Sequence, residues 1–161
     1  MHSDDDMSFE LMELLFFGYR DFIGDADEIL QDYDFGRAHH RVLHFVNRRP
    51  GIRVTDLLDI LKITKQSLAR VLKQLINANY LLQQHGATDR RERLIYPTTS
   101  GRELSEELSR AQSRRINGAL KKLPPETREI AGNFLYALIN DDERWLVKQP
   151  SHENQSPVEQ T

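Results

Sequence analysis

The strongest constraint on the fold comes from two short segments with helical spacing of their apolar residues, which only a very short connection separates. In residues 54–61, apolar residues recur at three- and four-residue steps, the spacing of one helix face: Val54, Leu57, Leu58 and Leu61. Only Lys62 and Ile63 separate this segment from Thr64, a residue type that caps helix N-termini. A second helix is predicted from Lys65 to about Ala78. Two short helices joined in this way have the layout of a helix-turn-helix.

The segment that follows has the pattern of a hairpin. Residues 80–84 and 93–97 are rich in aromatic and branched side chains, and the turn-forming residues 85–92 separate them. Pairing of these segments would add a two-stranded wing. The sequence therefore predicts a winged helix-turn-helix between residues 53 and 98, in a fold that is mainly α with a small β wing.

Longer amphipathic helices are predicted on both sides of this motif. Before it, one helix runs from Ser8 to about Gln31 and another, capped by Asp34, from about Phe35 to Arg48. After it, a helix capped by Thr98 or Thr99 runs to about Leu123, and a last helix with Pro125 in its first turn reaches about Leu146. We expect a disordered acidic segment over residues 1–7, one domain over 8–146 and a disordered tail over 147–161.

Charge is distributed unevenly along the chain. Residues 1–35 hold eleven Asp or Glu and one Arg, a net charge of -10, whereas residues 53–93 hold eight Lys or Arg and four Asp or Glu, a net charge of +4. Only the middle of the chain therefore suits a polyanion. The absence of cysteine excludes disulfides and thiol chemistry. With no signal peptide and no membrane-length apolar run, a cytoplasmic protein is expected.

The second helix of the motif presents the side chains that suit DNA. An outward stripe carries groups that pair with base edges or phosphates: Thr64, Lys65, Gln66, Ser67, Arg70 and Lys73. The wing tip adds Arg90, Arg91 and Arg93, which suit the minor groove. Asp89 is expected either to pair with one of these arginines or simply to form the turn. Each polar residue alone is equally compatible with a solvated helix face.

No set of residues predicts catalysis, a cofactor or a metal. The chain has no phosphate-binding glycine loop, no nucleophile elbow and no zinc-hydrolase helix. His40 and His44 are four apart on a helix, but no third ligand is evident nearby. A non-enzymatic protein is therefore expected.

Two stretches, VTDLLDILKITKQSLARVLKQLINANYLL and TDRRERLIYPTTSGREL, resemble the winged helix-turn-helix of MarR-type transcriptional regulators. The resemblance runs from about Phe9 to Leu146. It implies that Arg91 is the minor-groove arginine and that Asp89 stabilises the wing. The segment FGRAHHRVLHFV is similar to the PetP-like subgroup of that family. Asn79 and Pro97 stand where the family usually has glycine and leucine.

The resemblance also implies a dimer and a ligand site. The apolar stripes of the first helix and the last two helices exceed what one domain can cover, so a twofold dimer on an inverted-repeat DNA site is expected. Members of the family often bind small aromatic or anionic effectors, and the region that would hold one here includes Tyr19, Phe22, Arg37, His39 and His40. For the histidines, a structural role is the favoured interpretation. A repressor is the family default. The alternative is a winged-helix module that binds protein instead of DNA, as the acidic residues 1–35 would favour.

Overall fold

The computed structural model describes residues 7–148, and most of its elements are α-helices. The helices are α1 Phe9–Leu30, α2 Arg37–Arg48, α3 Val54–Leu61, α4 Lys65–Asn77, α5 Thr99–Leu120 and α6 Thr127–Leu138. The strands are β1 Ile52–Arg53, β2 Leu81–His85 and β3 Arg93–Pro97, and two 3-10 helices span Gln31–Tyr33 and Asp141–Leu146. The predicted fold class is confirmed. Residues 1–6 and 149–161, which hold most of the segments predicted to be disordered, lie outside the described residues.

The start of α2 differs from the prediction. Asp34 was expected to cap this helix, but it adopts a left-handed conformation with φ 58° and ends the first 3-10 helix. Gly36 is the N-cap, and its N–H donates to Nδ1 of His39 over 3.1 Å. The His39 side chain thus accepts the hydrogen bond from the free backbone N–H of Gly36 at the helix start, a role that was expected for Asp34.

The helix-turn-helix forms as predicted. Lys62 adopts a left-handed conformation with φ 51°, which ends α3 sharply. Thr64 caps α4, since its Oγ1 accepts a hydrogen bond from the backbone N–H of Ser67 over 3.0 Å. Asn79 has φ 64°, so it takes the left-handed position after α4 in the usual place of glycine.

The wing belongs to a three-stranded antiparallel sheet with the order β1-β3-β2. In the predicted hairpin, Leu81 pairs with Pro97 and His85 with Arg93. The sequence did not predict β1, whose two residues pair with Ile95 and Leu94 of β3. A two-residue strand is too short to show any alternation of apolar and polar residues.

The core lies where helices α1 to α5 meet the sheet. Six of its fully buried side chains come from six different elements: Leu30, Leu43, Leu57, Leu75, Ile95 and Leu108. Burial of each contributes about 1.5–3 kcal/mol relative to an exposed position. The helix pair and the wing are therefore fixed to one apolar centre.

The base of the wing and α5 meet at Gly101. Thr98 Oγ1 accepts from the Gly101 N–H over 3.0 Å and donates to the Asn79 carbonyl over 2.7 Å. A Cβ added at Gly101 would lie 1.9 Å from the carbonyl oxygen of Tyr80. Only glycine permits this approach, which is a physical reason for a glycine three residues after Thr98.

Contacts divide the chain into two compact units, one up to Arg115 and one from Ile116 onward. In the first, the N-terminal half of α1 exposes eight apolar or aromatic side chains: Phe9, Leu11, Met12, Leu14, Leu15, Phe16, Phe17 and Tyr19. In the second, the predicted last helix was too long, because α6 ends at Leu138 and extended backbone at Ile139 precedes the second 3-10 helix. No helix within residues 7–148 combines the length and apolar character needed to cross a membrane.

Candidate nucleic-acid interface

The outward face of α4 is a stripe of exposed polar and cationic side chains. Lys65, Gln66, Arg70 and Lys73 are exposed, while the opposite face buries Leu68, Val71, Leu72 and Leu75. Ser67 differs from the prediction because it is half-buried, and its Oγ accepts a hydrogen bond from Thr64 Oγ1 over 2.9 Å. Thr64 and Ser67 therefore fix the start of the helix, and the other four side chains project from it.

The wing tip is held by hydrogen bonds that involve its backbone. Asp89 Oδ1 accepts from the backbone N–H of Arg91 over 2.9 Å, and the Asp89 carbonyl accepts from the Glu92 N–H over 3.1 Å. Gly86 closes the loop, since its N–H donates to the Glu92 carbonyl over 3.0 Å. No ion pair joins Asp89 to an arginine within residues 7–148, and its bond to the Arg91 N–H fits the turn-forming interpretation. The backbone bonds leave the side chains of Arg90, Arg91 and Arg93 exposed.

The start of α4 and the wing line one cavity of about 380 Å³. It brings together Lys65, Asp89, Arg91 and Arg93 among the predicted residues, with Leu68 at its apolar side. Gln66, Arg70, Lys73 and Arg90 are not part of this lining. Helix and wing therefore present cationic groups to the same space, although they are far apart in sequence.

Arg53 is a residue of this site that sequence reasoning missed. It pairs with Asp56 through two hydrogen bonds of 2.9 and 2.8 Å, and its Nη1 lies 3.6 Å from Glu92 Oε1. Hydrogen bonding to Asp56 raises the pKa of Arg53, and the same contact holds the pKa of Asp56 below its usual value. This network ties α3 to the wing. The sequence feature that could have predicted the Arg53–Asp56 pair is the three-residue spacing of these two residues at the start of a helix.

The predicted effector residues are largely occupied by contacts within the chain. Arg37 Nε donates to Asp27 Oδ2 over 3.2 Å, and the Tyr19 hydroxyl accepts from Arg41 over 2.9 Å. The Tyr19 and Phe22 rings lie 6.4 Å apart. His39 stacks on Phe35, with ring centroids 4.8 Å apart, and its Nε2 lies 2.6 Å from Gln74 Oε1.

His40 lies on a different side of α2 from His39 and is buried. Burial lowers its pKa, and the neighbouring His44 lowers it further. Burial and then Arg48 lower the pKa of His44. Within residues 7–148, no group of three or more His, Cys, Asp or Glu is arranged to hold a metal ion.

Comparison with known proteins identifies relatives of this chain. A family model described as "MarR family" matches residues 33–92. The HTH-type transcriptional regulator PetP of Rhodobacter capsulatus is 46% identical over 121 residues, which cover 75% of this chain and 72% of PetP. Transcriptional regulator HosA of Escherichia coli O157:H7 is 27% identical over 71 residues, which cover 44% of this chain and 53% of HosA.

Solved structures share the fold. A crystal structure of a MepR mutant from a multidrug-resistant S. aureus clinical isolate has a TM-score of 0.71 at 21% identity, covering 82% of this chain and 96% of that one. The S. aureus MepR-DNA complex has a TM-score of 0.63 at 18% identity, covering 83% and 98%. The likeness to PetP, the matching family model and the shared fold together establish that the chain belongs to the MarR family of transcriptional regulators.

Proposed function

We propose that the chain is a homodimeric repressor that binds an inverted-repeat operator in double-stranded DNA. The observation that carries the proposal is the shared cationic cavity, where Lys65 from the start of α4 faces Arg91 and Arg93 of the wing. A helix and a hairpin that present cations to one space fit adjacent grooves of a duplex. The MepR-DNA complex has the same fold, which supports this use of the surface.

Base reading is assigned to the projecting side chains of α4. Gln66 suits the paired donor and acceptor of adenine, and Lys65 or Arg70 suits guanine in the major groove. Lys73, further along the helix, suits a phosphate. Thr64 and Ser67 bond to each other, so their main role is to hold the helix start at the correct angle.

Arg90, Arg91 and Arg93 would place positive charge at the narrow minor groove. Since the tip is fixed through backbone hydrogen bonds of Asp89 and Gly86, no guanidinium has to leave an Asp89 ion pair before meeting DNA. Glu92 is drawn toward Arg53 instead of toward the predicted DNA-contacting arginines.

Dimerisation is proposed from the apolar half of α1. Phe16 is 71% exposed, Leu14 60% and Phe9 59%, and a monomer rarely leaves so many neighbouring apolar side chains in water. A second copy of the chain would cover them and place two reading helices about one DNA turn, roughly 34 Å, or a multiple of it apart. Sedimentation of the wild type should show a dimer, and Phe16→Glu should shift it to monomer. Arg20→Glu is the control on the same helix, and a monomeric wild type would contradict this part of the proposal.

A gel-shift titration on DNA upstream of the chain's own gene tests operator binding. Affinity should fall by orders of magnitude between roughly 50 and 200 mM salt, because binding releases counterions from DNA. Gln66→Ala should cost about 1–3 kcal/mol at particular base pairs, whereas Arg91→Ala should weaken most sites. Lys121→Ala, an exposed residue after α5, is the matched control. Salt-independent or absent binding would favour a protein-binding winged helix instead.

Control by a small aromatic or anionic effector is also proposed. Arg37 is the group that would hold a carboxylate, and the ligand would have to replace Asp27 as its partner. Benzoate should therefore release the chain from operator DNA, and Arg37→Gln should reduce the release without changing DNA affinity. Unchanged release in this variant would exclude Arg37 as the ligand's partner.

A further inference from the structure

A polar groove of about 460 Å³ lies between the C-terminal end of α2 and the first part of α5. Three arginines line it: Arg48 from α2, and Arg102 and Arg110 from α5. It shares no lining residue with the cavity at the wing or with the predicted effector residues. The groove is therefore separate from the surface that is proposed to bind operator DNA.

The lining is unusual because it contains no aliphatic or aromatic side chain. Beside the arginines lie Ser105, Ser109 and Ser113, with Asn47 and one acid, Glu106. Small-molecule pockets are usually lined mainly by apolar side chains, which bury the carbon skeleton of the ligand. Here the carbon surface comes only from polar residues, and the side chains offer hydroxyl, amide and guanidinium donors, which suit a ligand whose surface consists of oxygen atoms.

Helix geometry sets these groups in two columns on α5. Arg102, Glu106 and Arg110 follow each other at four-residue steps and form one column. The three serines follow at the same step and form the next column. Asn47 and Arg48 close the groove from α2. Hydroxyl donors and guanidinium donors therefore line the same space.

The charges of the groove are not balanced within the chain. Glu106 Oε2 accepts from Arg110 Nη2 over 2.9 Å, so the single acid of the groove is paired. Arg102 Nη1 donates to the Pro97 carbonyl over 3.5 Å. Within residues 7–148, the Arg48 side chain makes no hydrogen bond or ion pair. Two guanidinium groups thus face the groove without a carboxylate, in a space that an anion would fill.

We propose that this groove binds a compact anion bearing phosphate groups. Arg48 and Arg102 would hold it, since the planar fork of arginine matches two phosphate oxygens at once. The Ser109 and Ser113 hydroxyls would donate to the remaining oxygens. A phosphate offers acceptors on every side and requires no apolar surface, so it fits this lining better than an aromatic carboxylate does.

Calorimetric titration of the full chain with sodium pyrophosphate at low salt tests the site. Binding should weaken at least about tenfold in the variant Arg48→Gln, Arg102→Gln, because two charge-assisted contacts are lost. Arg114→Gln removes an exposed arginine of the same helix outside the groove and should leave binding unchanged. Wild-type protein that does not bind, or binds no better than the double variant, would overturn the proposal. The single variant Arg48→Gln provides the same comparison if the double variant unfolds.

A second readout separates the groove from the cationic surface at the wing. The charge of Arg48 lowers the pKa of His44, after burial, so an anion beside Arg48 should raise the His44 pKa measured by NMR. Pyrophosphate bound at the wing would leave His44 unaffected. An unchanged His44 titration at saturating pyrophosphate would therefore overturn the assignment.

Measurements of operator binding distinguish a free phosphate-bearing anion from the phosphates of the DNA backbone as the ligand of the groove. If the groove serves a free anion, the double variant loses pyrophosphate binding but keeps the operator affinity of the wild type and its salt dependence. If it holds the DNA backbone, the double variant instead loses operator affinity and shows a shallower salt dependence. The second outcome would overturn the proposal of a small anion. The calorimetric result does not depend on operator binding, so the two proposals can fail separately.

Discussion

His39 Nε2 lies 2.6 Å from Gln74 Oε1, so a histidine of α2 bonds directly to the helix that carries the proposed base-reading stripe. The other ring nitrogen, Nδ1, accepts from the Gly36 N–H over 3.1 Å. Since Nδ1 must be unprotonated to accept, the neutral ring carries its proton on Nε2 and donates it to Gln74. One imidazole therefore caps α2 and also ties α2 to the reading helix.

Replacing His39 should destabilise the protein more than replacing its partner. His39→Ala loses the cap, the bond to Gln74 and the stack on Phe35, and we expect a loss of about 2–3 kcal/mol in the free energy of unfolding. Gln74→Ala loses a single bond and should cost about 1 kcal/mol. Urea unfolding measures both, with the exposed neighbour Lys73→Ala as the control. Equal losses in the two variants would contradict the double role of His39.

Gly101 and Gly118 form a matched pair within α5. A Cβ at Gly101 would meet the Tyr80 carbonyl at 1.9 Å, whereas a Cβ at Gly118 meets nothing within 4 Å. Gly101→Ala should therefore lower the free energy of unfolding by about 2–4 kcal/mol, since backbone must shift to admit the methyl group. Gly118→Ala should raise it by up to about 1 kcal/mol through helix propensity. Thermal unfolding of both variants checks the contrast, and a stable Gly101→Ala protein would exclude the close approach.

The elements that could be predicted from the sequence are those with signals in their own residues. The helix pair and the hairpin have strong periodic and capping signals, such as Thr64 before α4, and membership in the MarR family confirms a regulator and not an enzyme. The wrong cap of α2 is a local contact, since His39 lies only three residues after Gly36, but a histidine in this role is not among the usual capping residue types. The missed strand β1 pairs with β3, which is distant in the sequence, so it has no local signal. The groove between α2 and α5 likewise exists only after folding brings Arg48 and Arg102 together.

Removal of the Asp89 side chain should affect the wing tip and spare the core. Its carboxylate accepts the Arg91 N–H over 2.9 Å in an exposed loop, so Asp89→Ala should change the free energy of unfolding by less than about 1 kcal/mol. Arg91 would lose its fixed position, and operator affinity should fall about tenfold under the proposed DNA-binding function. Asp89→Asn keeps an acceptor for this bond and should restore most of the affinity. If Asp89→Asn binds as poorly as Asp89→Ala, charge and not turn geometry is the cause.

The stability of the fold should decrease as the pH falls from about 7.5 to 5.5. Burial holds the pKa values of His40 and His44 below 6.5 in the folded chain, so protons bind more tightly to the unfolded chain in this window. Unfolding then takes up protons, and the free energy of unfolding falls with decreasing pH. Above this window both states carry neutral rings, and these residues should cause no pH dependence.

The double variant His40→Gln, His44→Gln tests this origin, because glutamine has no proton to gain in that range. Urea unfolding at several pH values should give a shallower slope for the variant than for the wild type between pH 7.5 and 5.5. Asp25 and Asp56 also have altered pKa values, lowered chiefly by hydrogen bonds to Arg115 and Arg53, but the stability they contribute is lost only as the pH falls below about 4. The two effects therefore fall in different windows. Equal slopes for wild type and variant would show that His40 and His44 do not control the acid sensitivity.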